Sequence, residues 1–157
     1  MKRFDERIGK WCGERGINYT RYCDDMTFSG GKAVLNAKEI TQLVSRALRK
    51  MGFKLNMKKT TLIGSSQRQQ VTGIVVNKKA QISSKQRREI RQEIYYCKKY
   101  GVSQSLFFKG ADIAPEKYIN SLLGRISFAL QIDPADVKMH EYFKVAKKLK
   151  SEMCGEK

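Results

Sequence analysis

The sequence has little of the chemistry on which most zinc sites and histidine-based active sites depend. Its 157 residues include one histidine, His140, and four cysteines, none of them in CxxC spacing. A zinc finger needs several such ligands, so this class and most histidine catalysis are excluded. The cysteines are interpreted as reduced, intracellular and mostly structural: Cys12, Cys23, Cys97 and Cys154.

Long apolar runs, a secretory leader pattern and Gly/Ser-rich or Pro-rich linkers are also absent from the sequence. We therefore expect no membrane-spanning segment and a cytoplasmic location. A chain of this length can form one moderate core or two small subdomains that share an edge.

Acidic residues are scarce relative to basic ones. The sequence contains 15 Asp and Glu against 32 Lys and Arg, a formal net charge of +17. Such a surface repels itself unless a polyanion binds to it. Nucleic acid is therefore the first candidate partner, and a membrane surface is the second.

Residues 1–82 are predicted to form an α+β unit. A short helix that ends near Gly16 precedes a hairpin, and a second helix, capped by Asn36 and Glu39, ends near Gly52. Short β-rich runs follow at 53–56, 60–63, 71–76 and 80–82. The fold class is therefore α+β.

Residues 83–157 are predicted to form a bundle of three helices. The first begins at a capping box of Ser83 and Gln86 and ends at Gly101, the second begins at Pro115, and the third begins near Ala135. The solvent face of the first helix is almost purely cationic, with Lys85, Arg87, Arg88, Arg91, Lys98 and Lys99. Such a face can neutralise phosphates without reading sequence. The alternative is a merely solvated charged face. Trp11 and the pair Tyr95 and Tyr96 could stack on bases, but aromatic residues in helices more often pack.

The segment YTRYCDDMTFSG, residues 19–30, alternates as a hairpin does and places its turn at Asp24–Asp25. Two adjacent carboxylates are a poor choice for a tight turn, because they repel each other and do not favour positive φ. One reading is an exposed acidic turn. The other is a pair of hard oxygen ligands for Mg²⁺, which removes the repulsion.

Four blocks of the sequence resemble, in the same order, motifs of bacterial retron-type reverse transcriptases. The hairpin resembles their YxDD motif, and GFKLNMKKT at 52–60 resembles the next palm motif. QVTGIVVN at 70–77 resembles a segment with a VTG triplet at the start of the thumb, and LLGRISFALQIDP at 122–134 resembles a thumb helix. The resemblance implies an RNA-directed DNA polymerase with a partial palm over residues 1–82 and a helical thumb over residues 83–157.

The resemblance also implies roles for individual residues. Asp24 would ligate catalytic Mg²⁺, Asp25 would support the same site, and Lys59 would protonate the leaving pyrophosphate. The substrates would be deoxynucleoside triphosphates and an RNA template paired with a DNA primer. The VTG triplet would contact the enzyme's own structured non-coding RNA, whereas its plain reading is a strand with a glycine bulge. Nucleic-acid contacts are expected at Tyr22, Lys58, Val71, Thr72, Gly73, Lys85, Arg87, Arg88, Arg91, Lys98 and Arg125.

One part of the implied machinery is missing from the sequence. Two-metal phosphoryl transfer needs a further carboxylate, which the family takes from an earlier palm strand. Nothing here resembles that strand or the finger motifs, and Asp5 belongs to a helical pattern. We therefore expect the C-terminal part of such an enzyme, inactive alone and able to self-associate through a face that the missing part would cover. The alternatives are a non-catalytic basic RNA-binding or duplex-binding module, and a relative of group II intron maturases or CRISPR-associated enzymes.

Overall fold

A computed structural model of the chain describes residues 1–31, 34–110 and 112–155, and the side chains of these except at 154 and 155. The prediction for Cys154 therefore lies outside the described side chains. The chain divides into two compact units, Met1–Gln67 and Arg68–Lys157. Each unit has its own hydrophobic core. The fold is helix-rich with two small antiparallel sheets, which agrees with the predicted α+β class.

The first unit contains two helices, a hairpin and a 3₁₀ turn, in the order α1 (Lys2–Gly13), β1 (Asn18–Tyr22), β2 (Asp25–Ser29), α2 (Ala37–Arg49) and the 3₁₀ turn Met57–Lys59. The Oδ1 atom of Asn36 accepts a hydrogen bond from the backbone N–H of Glu39, which confirms Asn36 as the N-cap of α2 and gives one of the two bonds of the predicted capping box. The core joins one face of α1 to one face of α2 through Phe4, Ile8, Cys12, Ile17, Ile40, Val44 and Leu48.

The predicted β-rich runs at 53–56 and 60–63 are wrong, the run at 71–76 is divided by a turn at 72–73, and the run at 80–82 contributes a single bridge, between Val75 and Gln81. The structure has no strand at 53–56 or 60–63. Phe53 and Leu62 are exposed, although their residue types favour strands. A strand requires a hydrogen-bonding neighbour, and β1 pairs with β2 over the full length of both. Local β propensity therefore predicts these segments incorrectly, because no described strand pairs with them.

The described residues of the second unit form a short hairpin and four helices rather than the predicted three. The order is β3 (Gln70–Val71), β4 (Ile74–Val75), α3 (Ser84–Tyr100), α4 (Val102–Lys109), α5 (Pro115–Ile132) and α6 (Val137–Gly155). The capping box of Ser83 and Gln86 and the proline at the start of α5 are confirmed. Helix α4 is not predicted from the sequence, because VSQSLFFK has no clear apolar stripe at helical spacing. None of the helices in the described part of the chain could cross a membrane.

The boundary between the two units lies after Gln67, whereas the sequence predicts it after Ile82. Ile82 is buried in the core of the helices. In addition, Lys79 Nζ lies 2.5 Å from Asp133 Oδ2 at the end of α5. These contacts join the β3–β4 hairpin to the helical unit. The names palm and thumb for the two parts stay predictions.

A buried carboxylate joins three helices of the second unit. Glu93 on α3 is 5% exposed at its side chain and accepts hydrogen bonds from Arg125 on α5, including one of 3.0 Å from Nη1, while Lys109 Nζ lies 2.8 Å away. Burial alone raises the pKa of Glu93, but the hydrogen bonds from Arg125 and Lys109 outweigh it, so the pKa lies below its ordinary value. Glu93 is therefore ionised in the folded unit.

We expect Glu93→Gln to lower the free energy of unfolding of the helical unit by about 2 kcal/mol. The amide removes the negative charge that compensates Arg125 and Lys109. Urea unfolding followed by far-UV circular dichroism measures the loss, and the fluorescence of Trp11, the single tryptophan, reports the first unit separately. The matched control is Glu141→Gln, because Glu141 forms an exposed pair with Lys138 at 3.1 Å. Equal stability of the two variants would contradict the role of Glu93.

Candidate functional site

The β1–β2 hairpin presents two carboxylates at its tip. The register pairs Tyr22 with Asp25, so the two turn residues are Cys23 and Asp24. The predicted turn at Asp24–Asp25 is therefore wrong by one residue, and Asp25 is the first residue of β2. Cys23 takes the positive φ of the turn, at 54°, which spares both aspartates that conformation. Both aspartates and Tyr22 are exposed, Tyr22 by 69%.

Hydrogen bonds from Arg21 fix the hairpin to α1. Asp5 on α1 accepts from Arg21 at both oxygens, with 2.7 Å from Nε to Oδ1 and 2.7 Å from Nη2 to Oδ2. The Tyr19 hydroxyl donates to the same Oδ1 at 2.9 Å. Arg21 Nη1 also donates to the carbonyl oxygen of Cys23 at 2.5 Å. One arginine thus connects the first helix to the turn beside the aspartates.

The carboxylate of Asp5 is occupied by these hydrogen bonds, and we call its link to Arg21 the anchor of the hairpin. The hydrogen bonds from Arg21 lower the pKa of Asp5 from 3.8 to about 2, although burial opposes them. Burial and the hydrogen bond to Asp5 raise the pKa of the Tyr19 phenol. Because both Asp5 oxygens already accept from Arg21, Asp5 is a structural carboxylate.

The donor set of the hairpin tip suits part of a magnesium site. Mg²⁺ prefers oxygen ligands and is often held by one or two carboxylates together with substrate phosphates and water. Asp24 and Asp25 supply two exposed carboxylates. Among the residues that the structure describes, no group of three or more His, Cys, Asp or Glu side chains could hold a metal ion. The described part of the chain therefore offers a pair of ligands and not a closed site.

Lys58 and Lys59 lie in the 3₁₀ turn that follows α2. The backbone N–H of Lys58 donates to Asn56 Oδ1 at 3.1 Å, and both lysine side chains are exposed. Nearby, a shallow cavity of about 490 Å³ is lined by Thr41, Gln42, Ser45, Arg46, Arg49 and Met57. Lys59 thus lies on an element separate from the hairpin, and its role as a proton donor stays a prediction.

The VTG triplet forms the turn of the β3–β4 hairpin. Val71 pairs with Ile74, so Thr72 and Gly73 are the two turn residues. Both have positive φ, 47° and 89°, which is the sign pattern of a type I′ turn. The alternative reading as a glycine bulge is therefore wrong. A β-branched residue rarely adopts positive φ, so the turn places Thr72 in a strained conformation.

The cationic face of α3 borders an open groove against α6. The groove has a volume of about 390 Å³ and is lined by Ser84, Arg87, Arg88, Arg91, Lys138 and Tyr142. Arg88 and Arg91 are exposed, whereas Arg87 Nη2 lies 2.5 Å from Asp136 Oδ2, whose side chain is 8% exposed. Asp136 also accepts from the backbone N–H of Met139 in the first turn of α6. Arg87 therefore joins α3 to α6, whereas no described carboxylate forms an ion pair with Arg88 or Arg91, which line the groove.

The other residues of the helices that were predicted to contact nucleic acid differ in whether their charge is free to bind a phosphate. Lys85 is exposed near the start of α3, and Lys98 is exposed near its end. Arg125, by contrast, pairs with buried Glu93. The arrangement therefore favours Lys85, Arg88, Arg91 and Lys98 as phosphate ligands over Arg125.

Comparison with curated proteins finds similar sequences among reverse transcriptases, and within that class among those of retrons. The chain is 33% identical over 95 residues to the retron Mx65 reverse transcriptase of Myxococcus xanthus, a match of 60% of the chain and 22% of that protein. It is 29% identical over 143 residues to the retron Ec83 reverse transcriptase of Escherichia coli, 90% of the chain and 43% of that protein. It is 34% identical over 97 residues to the Escherichia coli retron Ec86 reverse transcriptase, 60% of the chain and 29% of that protein.

These matches confirm the resemblance to retron-type reverse transcriptases. The chain spans less than half the length of these relatives. No family model matches the chain, and no solved structure does.

Sequence reasoning missed several residues that shape the candidate surfaces. Asp136 could have been found, because an Asp three residues before Met139 fits a helix cap. Lys138 and Tyr142 lie four residues apart, a spacing that places both on one helical face toward the groove. The partnership of Asp5 with Arg21 carries no such signal, because the two residues lie 16 positions apart on different elements.

The anchor between Asp5 and Arg21 predicts a specific loss of stability in acid. Because the folded pKa of Asp5 lies below its ordinary value, the stabilisation is complete above about pH 4 and is lost as the pH falls toward 2. We expect Asp5→Asn to lower the urea midpoint of the Trp11 fluorescence transition at pH 7 and to flatten its pH dependence between about pH 4 and 2.

Glu6→Gln is the matched control, because Glu6 is an exposed carboxylate on the same helix. It should keep the wild-type acid response. A wild-type acid response in Asp5→Asn would show that the anchor does not stabilise the first unit.

Proposed function

We propose that the chain forms part of a retron-type RNA-directed DNA polymerase and supplies two carboxylates of its nucleotidyl-transfer site. In the proposed reaction a primer 3′-hydroxyl attacks the α-phosphate of a deoxynucleoside triphosphate, and pyrophosphate leaves. The observation that carries the proposal is the exposed pair Asp24 and Asp25 at the tip of a hairpin fixed by Arg21. Similarity to retron reverse transcriptases supports it.

The hairpin residues have distinct tasks in this proposal. Asp24 and Asp25 would hold Mg²⁺, which would supply charge stabilisation for the attacking and leaving oxygens. Arg21 fixes the backbone of the turn, so the positions of the two aspartates along the chain are set before substrate binds. Tyr22, exposed beside them, would pack near the primer end, and Lys59 would donate a proton to pyrophosphate.

The helical unit would bind the template–primer duplex. Lys85, Arg88, Arg91 and Lys98 are exposed on α3, and Lys138 on α6 lines the same groove as the arginines. These cations would contact phosphates, which gives affinity without sequence readout. The strained turn at Thr72 would contact a structured RNA, since strained backbone concentrates at functional sites.

A non-catalytic nucleic-acid-binding module is the second candidate function. The incomplete donor set among the described residues favours it, because two carboxylates fall short of the ligands that two-metal transfer uses. Under the first proposal a further carboxylate comes from outside these residues, and the chain alone does not extend a primer. The two candidates therefore differ in what happens when a complementary polymerase segment is supplied.

The test replaces the matching segment of the Escherichia coli retron Ec83 reverse transcriptase with this chain. We expect the chimera to extend a DNA primer on an RNA template with Mg²⁺, and Asp24→Asn to lower the rate by at least about 100-fold, because a ligand of the metal is lost. Asp112→Asn is the control, because Asp112 is an exposed acid of the helical unit and should leave the rate unchanged.

Extension that survives Asp24→Asn combined with Asp25→Asn would contradict the catalytic proposal.

A second measurement uses the chain itself. Added Mn²⁺, as a paramagnetic substitute for Mg²⁺, should broaden the amide resonances of Asp24 and Asp25, and the double variant should abolish the broadening. Broadening that persists in the double variant would assign the metal to other groups.

Duplex binding by the chain should weaken steeply with salt. Each phosphate contact contributes about −0.9 to the slope of log affinity against log salt on B-form DNA. We expect Arg88→Ala and Arg91→Ala each to reduce the magnitude of this slope by about 1 on an RNA–DNA duplex. Lys117→Ala is the matched control, because it removes one exposed positive charge on α5 outside the residues that line the groove. Equal slopes for all three variants would show that the groove is not the binding surface.

A further inference from the structure

Five aromatic rings form a contiguous exposed row at the end of α3 and on α4. We call this row the aromatic ladder, and it consists of Tyr95, Tyr96, Tyr100, Phe107 and Phe108. The ring centroids lie 5.6 Å apart for Tyr95 and Tyr96, 6.1 Å for Tyr96 and Tyr100, 5.4 Å for Tyr100 and Phe108, and 6.3 Å for Phe107 and Phe108. Each ring therefore touches its neighbour.

The aromatic ladder lies on the surface and not in the core. Phe107 is 76% exposed and Phe108 60%, and none of the five residues belongs to the buried cluster of the helical unit. The sequence analysis favoured packing for Tyr95 and Tyr96, but both are exposed. Leaving adjacent phenylalanines in water is unfavourable, so their exposure indicates a binding surface.

Positive charge accompanies these rings. Lys99 Nζ lies 5.0 Å from the ring centre of Tyr100 and 5.7 Å from that of Tyr95. Lys98, which the duplex proposal also uses, is exposed beside Lys99, whereas Lys109 pairs with buried Glu93. Residues 95–110 contain no Asp or Glu. A row of aromatic rings among lysines, with no acid in its sequence, complements a ligand that has both flat apolar faces and negative charge.

We propose that the aromatic ladder binds unpaired nucleotides by stacking their bases on Phe107 and Phe108 while the lysines contact their phosphates. Aromatic platforms within a positive groove are the recurring solution for single-stranded nucleic acid. A duplex does not expose the faces of its internal bases, so it cannot use the rings in this way. A protein partner fits less well, because the centres of protein interfaces are depleted in lysine.

The aromatic ladder is separate from the groove assigned to the duplex. The groove uses Arg88 and Arg91 in the first half of α3, whereas the tyrosines occupy its last turns. Arg88 and Tyr96 lie about 12 Å apart along the helix axis, at about 1.5 Å per residue. The proposal thus goes beyond the polymerase function, and α3 would hold paired nucleic acid at one end and an unpaired flank at the other.

The test measures fluorescence anisotropy with three probes: oligouridylate and oligodeoxythymidylate of about 12 nucleotides, within the range of known single-strand site sizes, and a blunt RNA–DNA duplex of equal length. We expect Phe107→Ala and Phe108→Ala each to weaken single-strand binding by about 5- to 100-fold. Duplex affinity should change less than about twofold, because no charge is removed. The two single strands show whether the rings discriminate between RNA and DNA.

Two further variants separate stacking from loss of structure. Phe107→Trp should retain or strengthen single-strand binding, because it keeps an aromatic face. Phe128→Ala removes an exposed ring on α5 outside the ladder and should bind all three probes as the wild type does. Circular dichroism checks that each variant is folded.

Several outcomes would overturn the proposal. Unchanged single-strand affinity in Phe107→Ala and Phe108→Ala would do so, and so would an equal loss with the duplex probe. A change in oligomeric state on gel filtration, without a change in single-strand affinity, would assign the ladder to a second copy of the chain. If the duplex still binds with its expected salt dependence while single-strand binding is insensitive to the rings, this proposal fails and the duplex proposal stands.

Discussion

The paired hydrogen bonds between Asp5 and Arg21 are the interaction on which the hairpin tip depends. They join α1 to β1, and the same guanidinium holds the carbonyl of the turn residue Cys23. A two-stranded hairpin is marginal by itself in water, so its tip needs support from a neighbouring element. In this chain a helix provides that support through one carboxylate. The two exposed aspartates therefore lie on a turn whose backbone is fixed by a hydrogen bond from Arg21.

Several of the few acids have the same structural role. Glu93, Asp133 and Asp136 each pair with a cation of another element, as Asp5 does. Breaking a pair with a largely buried member costs far more than breaking an exposed pair. Arg87 and Arg125 are thus used for folding, although the sequence offers them equally with Arg88 and Arg91 as phosphate ligands. Structural pairing separates the cations that hold the unit together from those that remain available to a polyanion.

The sequence predicts features that depend on neighbouring residues better than features that depend on contacts between residues far apart in the chain. Local patterns predicted the capped helices correctly, because the signals at Asn36, Ser83 and Pro115 lie within a few residues of the backbone groups that they affect. The hairpin was predicted too, but its turn was misplaced by one residue, since only the pairing of Tyr22 with Asp25 fixes the register. Segments 53–56 and 60–63 looked like strands because propensity ignores whether a partner strand exists. Ion pairs between distant positions, such as Asp5 with Arg21, and the contact of Tyr100 with Phe108 are set by tertiary packing alone.

Cys23 and Thr72 are the two non-glycine residues with positive φ in the described part of the chain, and each lies in the turn of a hairpin whose sequence resembles a retron motif. A left-handed residue other than glycine costs about 1–2 kcal/mol, and most of that would be recovered by glycine or asparagine. Selection for heat resistance alone would therefore replace these two positions early. Their retention would then be a sign of selection for activity. In a laboratory evolution experiment that measured heat resistance and activity, substitutions at these two turns would raise the first and lower the second.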